Sequence, residues 1–168
     1  NLLGLYLRDK IKFGRNSKPL YLCVNNSTTK FFKIFSIMNT IDFSRFHSCL
    51  THDAIFHADE ITAVYLAKRA GFSGEVVRSR KATIVETSVN DPYTLVLDCG
   101  MKLDPEMGNF DHHQDRNASH ATAGLIWSYV KDQLYPNDPI TQQFVGEVIA
   151  AIDAVDLGKE NAQTALGS

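Results

Sequence analysis

"TLVLDCG", residues 94–100, runs through a threonine and three aliphatic residues without a charged group, then stops at Asp98, two positions before a glycine. A strand with one face in water alternates apolar and polar residues. A continuous apolar run instead marks a strand covered on both faces, as in a parallel sheet packed between helices. Open sheets of this kind gather ligands beyond the carboxyl ends of their strands. The stretch therefore predicts a fold, and it places Asp98 where such a fold does its chemistry.

The neighbouring segments agree. "FHSCL" (46–50) predicts a short buried strand, and "THDAIFHADE" (51–60) is a polar loop leading into a helix. "DEITAVYLAKRAG" repeats apolar groups at helical spacing and closes at Gly71. "EVVRSR" (75–80) reads as a second strand with its arginines turned outward, and residues 81–93 fit no single pattern. "KLDPEMGNFDHH" predicts a small turn-linked pair of strands. "TAGLIWSYVKDQL" (122–134) carries Ile126, Tyr129, Val130 and Leu134 on one helical stripe. "YPNDP" breaks it, and residues 140–158 form a last helix stopped by Gly158. Strands alternating with helices give an α/β class, a mainly parallel sheet flanked by helices.

The chain has 168 residues, 44% of them hydrophobic, enough for one domain with a buried core. A net charge of −2 gives no general attraction to nucleic acid or to a membrane surface. Residues 1–37 differ from the rest, with seven basic side chains against one acid, and keep no sustained period. Three readings fit this basic extension: a non-native or upstream-translated segment, a targeting segment of mitochondrial type, or an extra element packed on the domain. Residues 38–168 form the expected domain. The three cysteines, Cys23, Cys49 and Cys99, make no CxxC pair. An intracellular location is expected, cytoplasmic first and mitochondrial or nuclear in a eukaryote.

Four groups of chemically capable residues fall at element ends. They are His52, His57 and Asp59; Asp98; Asp111, His112 and His113; and Asp153 with Asp156. Each has an ordinary alternative. Asp59 suits the first turn of a helix, Asp98 a turn, and the last pair a solvated helix face. "AIDAVDLG" is too apolar for that last alternative to be easy. Together the groups fit two divalent cations ~3.5–4 Å apart, which need several carboxylates and one shared between them. Imidazoles add affinity without charge. A set of His and Asp without thiolate suits Mn²⁺, Mg²⁺, Fe²⁺ or Co²⁺ more than structural Zn²⁺.

The order of these segments resembles the DHH phosphoesterase superfamily, and within it the melanocyte-proliferating-gene family. "THDAIFHADE" is similar to that family's THNGxFHxDE signature, and "FDHHQ", "AGLIW" and "IDAVDLG" to its FDHHQ, SxGLxW and IDAxDNG segments. The likeness covers about residues 47–158. It implies His52 and His57 as ligands of one metal, Asp59 and His112 of the other, and Asp98 bridging. Asp153 would complete the second site, with Asp156 as the alternate. His113 would face the substrate or donate a proton, and Asp111 would orient the histidines. The two cations would be Mn²⁺ first.

The implied reaction is metal-dependent phosphodiester hydrolysis, as a 3′-to-5′ exonuclease on RNA or short oligonucleotides. A pyrophosphatase-like hydrolase of small phosphate compounds and a metal-binding domain without turnover are the alternatives. Arg80 and Arg116, with Arg78 and Lys81, are candidates to hold the polyanion; their plain alternative is a solvated surface. The sequence departs from the family in three ways. The loop after DHH is short, DLG replaces DNG, and the C-terminal substrate domain that the resemblance implies is absent from a chain ending ten residues after Gly158.

Overall fold

The computed structural model describes residues 41–161. The extension expected over residues 1–37 lies outside the described residues. The elements run β1 (Ser48–Thr51), α1 (Ala58–Arg69), β2 (Glu75–Arg78), α2 (Ala82–Val89), β3 (Thr94–Leu97), β4 (Leu103–Asp104), β5 (Asn109–Phe110), α3 (Thr122–Leu134) and α4 (Pro139–Asp156). One sheet has the order β2-β1-β3-β5-β4. Its first four strands are parallel, and β4 alone runs antiparallel, paired to β5. This is the mainly parallel α/β architecture expected from residues 94–100.

The topology creates the site. From β1 the chain crosses through α1 to β2 on one side, then returns through α2 to β3 on the other. The order of strands thus reverses about β1, the position where open α/β sheets leave a crevice. Register then lines up the strand ends. Leu50 pairs with Val96, and Leu97 with Phe110. His52 and Asp98 each lie two residues past the first of these pairs. Asp98 and Asp111 each lie one past the second. Three separate segments of sequence therefore release a polar side chain in the same row.

Burial explains why the strands take these positions. All four residues of β3 are buried. Leu95 and Leu97 join Phe43, Phe46, Phe110, Leu66, Ile126 and Val130 in the main core. Val96 points to the other face, as the two-residue period of a strand requires. There α2 lies over it: a Cβ built on Gly100 would meet Val89 Cγ1 and Val96 Cγ1 together, at 2.7 and 3.3 Å. On the core side, α1 packs on α3 and α3 on α4.

Three expectations need adjustment. The first strand is Ser48–Thr51, two residues later than "FHSCL" begins, because Phe46 follows a 3₁₀ turn and packs into the core. The unassigned stretch 81–93 contains helix α2. Finally, Arg78 of β2 is not turned freely outward. Its guanidinium lies 3.6 Å over the Phe56 ring and 3.7 Å from the buried Glu60 carboxylate. The stripe expected on residues 122–134 is seen, with Ile126 and Val130 fully buried and Tyr129 and Leu134 packed beside them.

Candidate metal centre

His52, Asp98 and Asp111 leave the sheet side by side, and loops and helices bring the remaining groups to them. Asp98 is in the left-handed region at φ +56, which Asp tolerates better than most residues. Its backbone N–H still donates to the Phe110 carbonyl at 3.1 Å, so the turn is anchored to β5. The carboxylate stands between the imidazoles. Oδ2 is 3.3 Å from His52 Nε2; Oδ1 is 3.8 Å from His112 Nδ1 and 3.6 Å from His113 Nδ1. Burial, reinforced by the nearby Asp59 and Asp156, pushes its pKa up to about 8.

His52 is fixed by the Asp53 carbonyl, 2.9 Å from Nδ1. A carbonyl oxygen only accepts, so Nδ1 carries a proton and Nε2 is the nitrogen turned to the site. That nitrogen is buried without a hydrogen-bond partner, and it faces Asp98 at 3.3 Å and Glu60 at 3.5 Å. An unpartnered ring nitrogen aimed at two carboxyl groups is an arrangement that a cation among them would satisfy. His57 completes this side. Its ring centroid is 5.0 Å from that of His52, and its backbone N–H donates to both Glu60 oxygens at 2.8 Å.

On the other side, Asp59 sits in the first turn of α1 but does not cap its own helix. Its oxygens accept the N–H groups of Thr122 and Ala123 at 3.1 and 2.7 Å, at the start of α3. Asp153 of α4 accepts the next one, from Gly124, at 3.0 Å. The α3 N-cap, Ala121, offers no side-chain cap, so two acids from neighbouring helices replace it. Burial raises the Asp59 pKa to about 7 against the pull of these hydrogen bonds. Burial likewise raises that of Asp153, opposed by His120, whose Nδ1 is 2.9 Å from Oδ2.

Asp156 lies one helical turn further and faces the site. Its Oδ2 is 3.3 Å from His112 Nε2, and its Oδ1 is 4.0 Å from His57 Nδ1. His112 is buried, which together with the adjacent His113 lowers its pKa and favours the neutral, ligating ring. Asp111 works from behind. Burial would raise its carboxyl pKa, but hydrogen bonds from the His113 N–H, the His113 ring and the Met101 N–H outweigh burial and hold it low.

Ligand atoms within 4.8 Å of one another form three sets among the described residues: His52, His57, Glu60 and Asp98; Asp98, Asp111, His112 and His113; Asp59, Asp98, His112 and Asp156. Asp98 belongs to all three. The donor chemistry, imidazoles and carboxylates gathered about Asp98 without a thiolate, fits a divalent metal ion. Asp153, the first choice from sequence, is occupied at the α3 terminus and belongs to none of the sets. Asp156, the alternate, is the helical acid aimed at the histidines.

The structure adds residues that sequence reading left without a role. Glu60 is buried against His52. Its signal was its place in the THDAIFHADE motif, which fixed no function. His120 gave no signal at all, being one exposed histidine in a polar loop. A cavity of about 370 Å³ opens beside His52, His57, Asp98 and His113, and Arg80 is on its wall. Arg116 is exposed in the loop after His113 and does not line this cavity.

An α/β domain whose switch-point crevice gathers histidines and carboxylates around one shared aspartate is a candidate metal-dependent hydrolase. The family model named MYG1_exonuc, described as "Uncharacterised protein family (UPF0160)", matches residues 48–166, and the chain belongs to that family. A MYG1 protein of Dictyostelium discoideum is 32% identical over 130 residues, 66% of this chain and 38% of its own length. One from Schizosaccharomyces pombe is 44% identical over 90 residues, 47% of this chain and 26% of its own. One from Chlamydia pneumoniae is 30% identical over 112 residues, 65% and 37%. The chain thus spans well under half the length of these relatives. No solved structure is significantly similar to it. Among the described residues no helix is long and apolar enough to cross a membrane.

Proposed function

We propose that this domain is the catalytic part of a two-metal phosphodiesterase of DHH type, acting as an exonuclease on RNA or short oligonucleotides. The observation that carries the reading is Asp98, shared by every ligand set and flanked on both sides by a histidine and further carboxylates. The short name of the family model, MYG1_exonuc, points to the same chemistry. His52, His57 and Asp98 would hold one ion; Asp59, Asp98, His112 and Asp156 would hold the other. Such a pair, when bound, supplies Lewis-acid activation of water and neutralises charge on phosphoryl oxygens. Mn²⁺ is the favoured ion on donor type.

The chain's own groups do the rest. Asp111 holds His113 through its backbone N–H at 2.9 Å and its Nδ1 at 2.7 Å. That leaves Nε2 as the nitrogen free to face the substrate phosphate or the leaving oxygen, to which it would donate when the ring carries both protons. His113 is 52% exposed and lines the cavity, so it is reachable. Arg80 on the cavity wall is the cation placed to meet a substrate phosphate. The acidic bulk after residue 38 gives little long-range hold on a polyanion, so substrate affinity rests on these local contacts.

The test is Mn²⁺-dependent release of mononucleotides from end-labelled RNA, run beside phosphate release from pyrophosphate. Mononucleotides from RNA with little phosphate from pyrophosphate is the expected result. The reverse pattern would move the assignment to small phosphate compounds. Bound metal without turnover of either would leave a metal-binding domain.

A further inference from the structure

The cavity also has lining residues that this chemistry leaves unused. They are Val85 of α2 and Gly100 and Met101 of the loop leaving β3. Met101 is 62% exposed, yet its backbone is fixed in the left-handed region at φ +55 by a 2.7 Å hydrogen bond from its N–H to Asp111 Oδ2. That conformation is uncommon for a long side chain, and such strained positions cluster at ligand sites. Gly100, at φ +124, lets the loop press against α2, where any Cβ would crowd Val89. Asp98, Gly100 and Met101 all have positive φ, so a single turn delivers the shared carboxylate and the thioether to one cavity.

Asp111 ties this loop to the histidines, one oxygen on His113 and the other on Met101. The volume, about 370 Å³, falls within the ~300–1,000 Å³ of pockets that enclose small organic ligands. On the phosphoester reading, a phosphoryl group would lie at the carboxylates and imidazoles. Val85 and Met101 add apolar lining to the same cavity, and a thioether packs well against aromatic rings.

We infer that Val85, Gly100 and Met101 form a nucleobase subsite, so that the cavity favours base-bearing phosphates over abasic ones. The inference rests on the phosphoester reading of the carboxylates and imidazoles in the same cavity. Calorimetric titration of the full chain in Mn²⁺ with AMP and with ribose 5-phosphate separates the two. AMP is expected to bind at least tenfold more tightly. Met101→Gly suits the left-handed backbone and removes the side chain; it is expected to bring that ratio below threefold with metal content unchanged. Val85→Ala is expected to reduce the ratio in the same direction. Equal affinity for the two phosphates, no binding of either, or an unchanged ratio in both variants would overturn the subsite. A base preference without hydrolysis of RNA would keep the subsite and remove the nuclease reading. Hydrolysis without a base preference would do the opposite.

Discussion

Asp98 and Asp156 differ in what their loss should do, because one is shared and the other is not. Asp98→Ala is expected to abolish tight binding at both ion positions. Asp156→Ala should lose one ion of the pair, and Asp153→Ala should retain both. Elemental analysis of the three purified variants distinguishes these outcomes. The pH dependence follows from the raised carboxyls. Asp98, near 8, and Asp59, near 7, are substantially protonated in the metal-free protein at neutral pH. A cation must displace those protons, so its affinity should rise with pH up to about 8 and level off above it, by about tenfold per pH unit for each proton displaced. The same groups set a stability trend. Their folded pKa values lie above the unfolded 3.8, so their contribution is full below about pH 4 and is lost as pH rises through 7 to 8. Thermal melts of metal-free protein across that range, with Mn²⁺ titrations beside them, check both. An affinity independent of pH would show that these carboxylates are not the ligands.

The start of α3 ties stability to the site at the scale of elements. Three consecutive N–H groups there depend on Asp59 and Asp153. Asp153→Ala removes one partner from a buried N–H and is expected to cost about 1–3 kcal/mol in chemical denaturation. Gly124→Ala would place a Cβ 2.0 Å from Asp153 Oδ2, and should cost a similar ~1–3 kcal/mol by overpacking. Neutral behaviour of both variants would mean that the helix start is held otherwise. These contacts also mark the limit of what the sequence showed. Continuous apolar runs and helical stripes made β3, α1, α3 and α4 legible, since their burial is written into their periodicity. Helix α2 was not legible: "ATIVETSV" is rich in β-branched residues, and none of it is fully buried, so no period stands out. Asp153 and Asp156 are three residues apart on one helix. Sequence placed both on one face but could not say which meets α3 and which meets the histidines. Arg78 looked like surface because its partners, Phe56 and Glu60, come from another element.

For the whole molecule, the arrangement concentrates carboxyl groups where strands and helices meet. Asp59, Glu60, Asp98, Asp111 and Asp153 are all buried, close to a crevice open to solvent. Such a domain should be more stable with divalent ions than without. Binding to the folded state alone adds about 2.7 kcal/mol per site at a hundredfold excess over Kd. Chelation should therefore lower the melting temperature, and restored Mn²⁺ should raise it again. The central claim is that Asp98 is shared between two cations. Electron paramagnetic resonance of the full chain titrated with Mn²⁺ reads this directly. Two equivalents bound with a spin-coupled signal, lost in Asp98→Ala, is the predicted result; one equivalent with the spectrum of an isolated ion, or no bound ion, would contradict it.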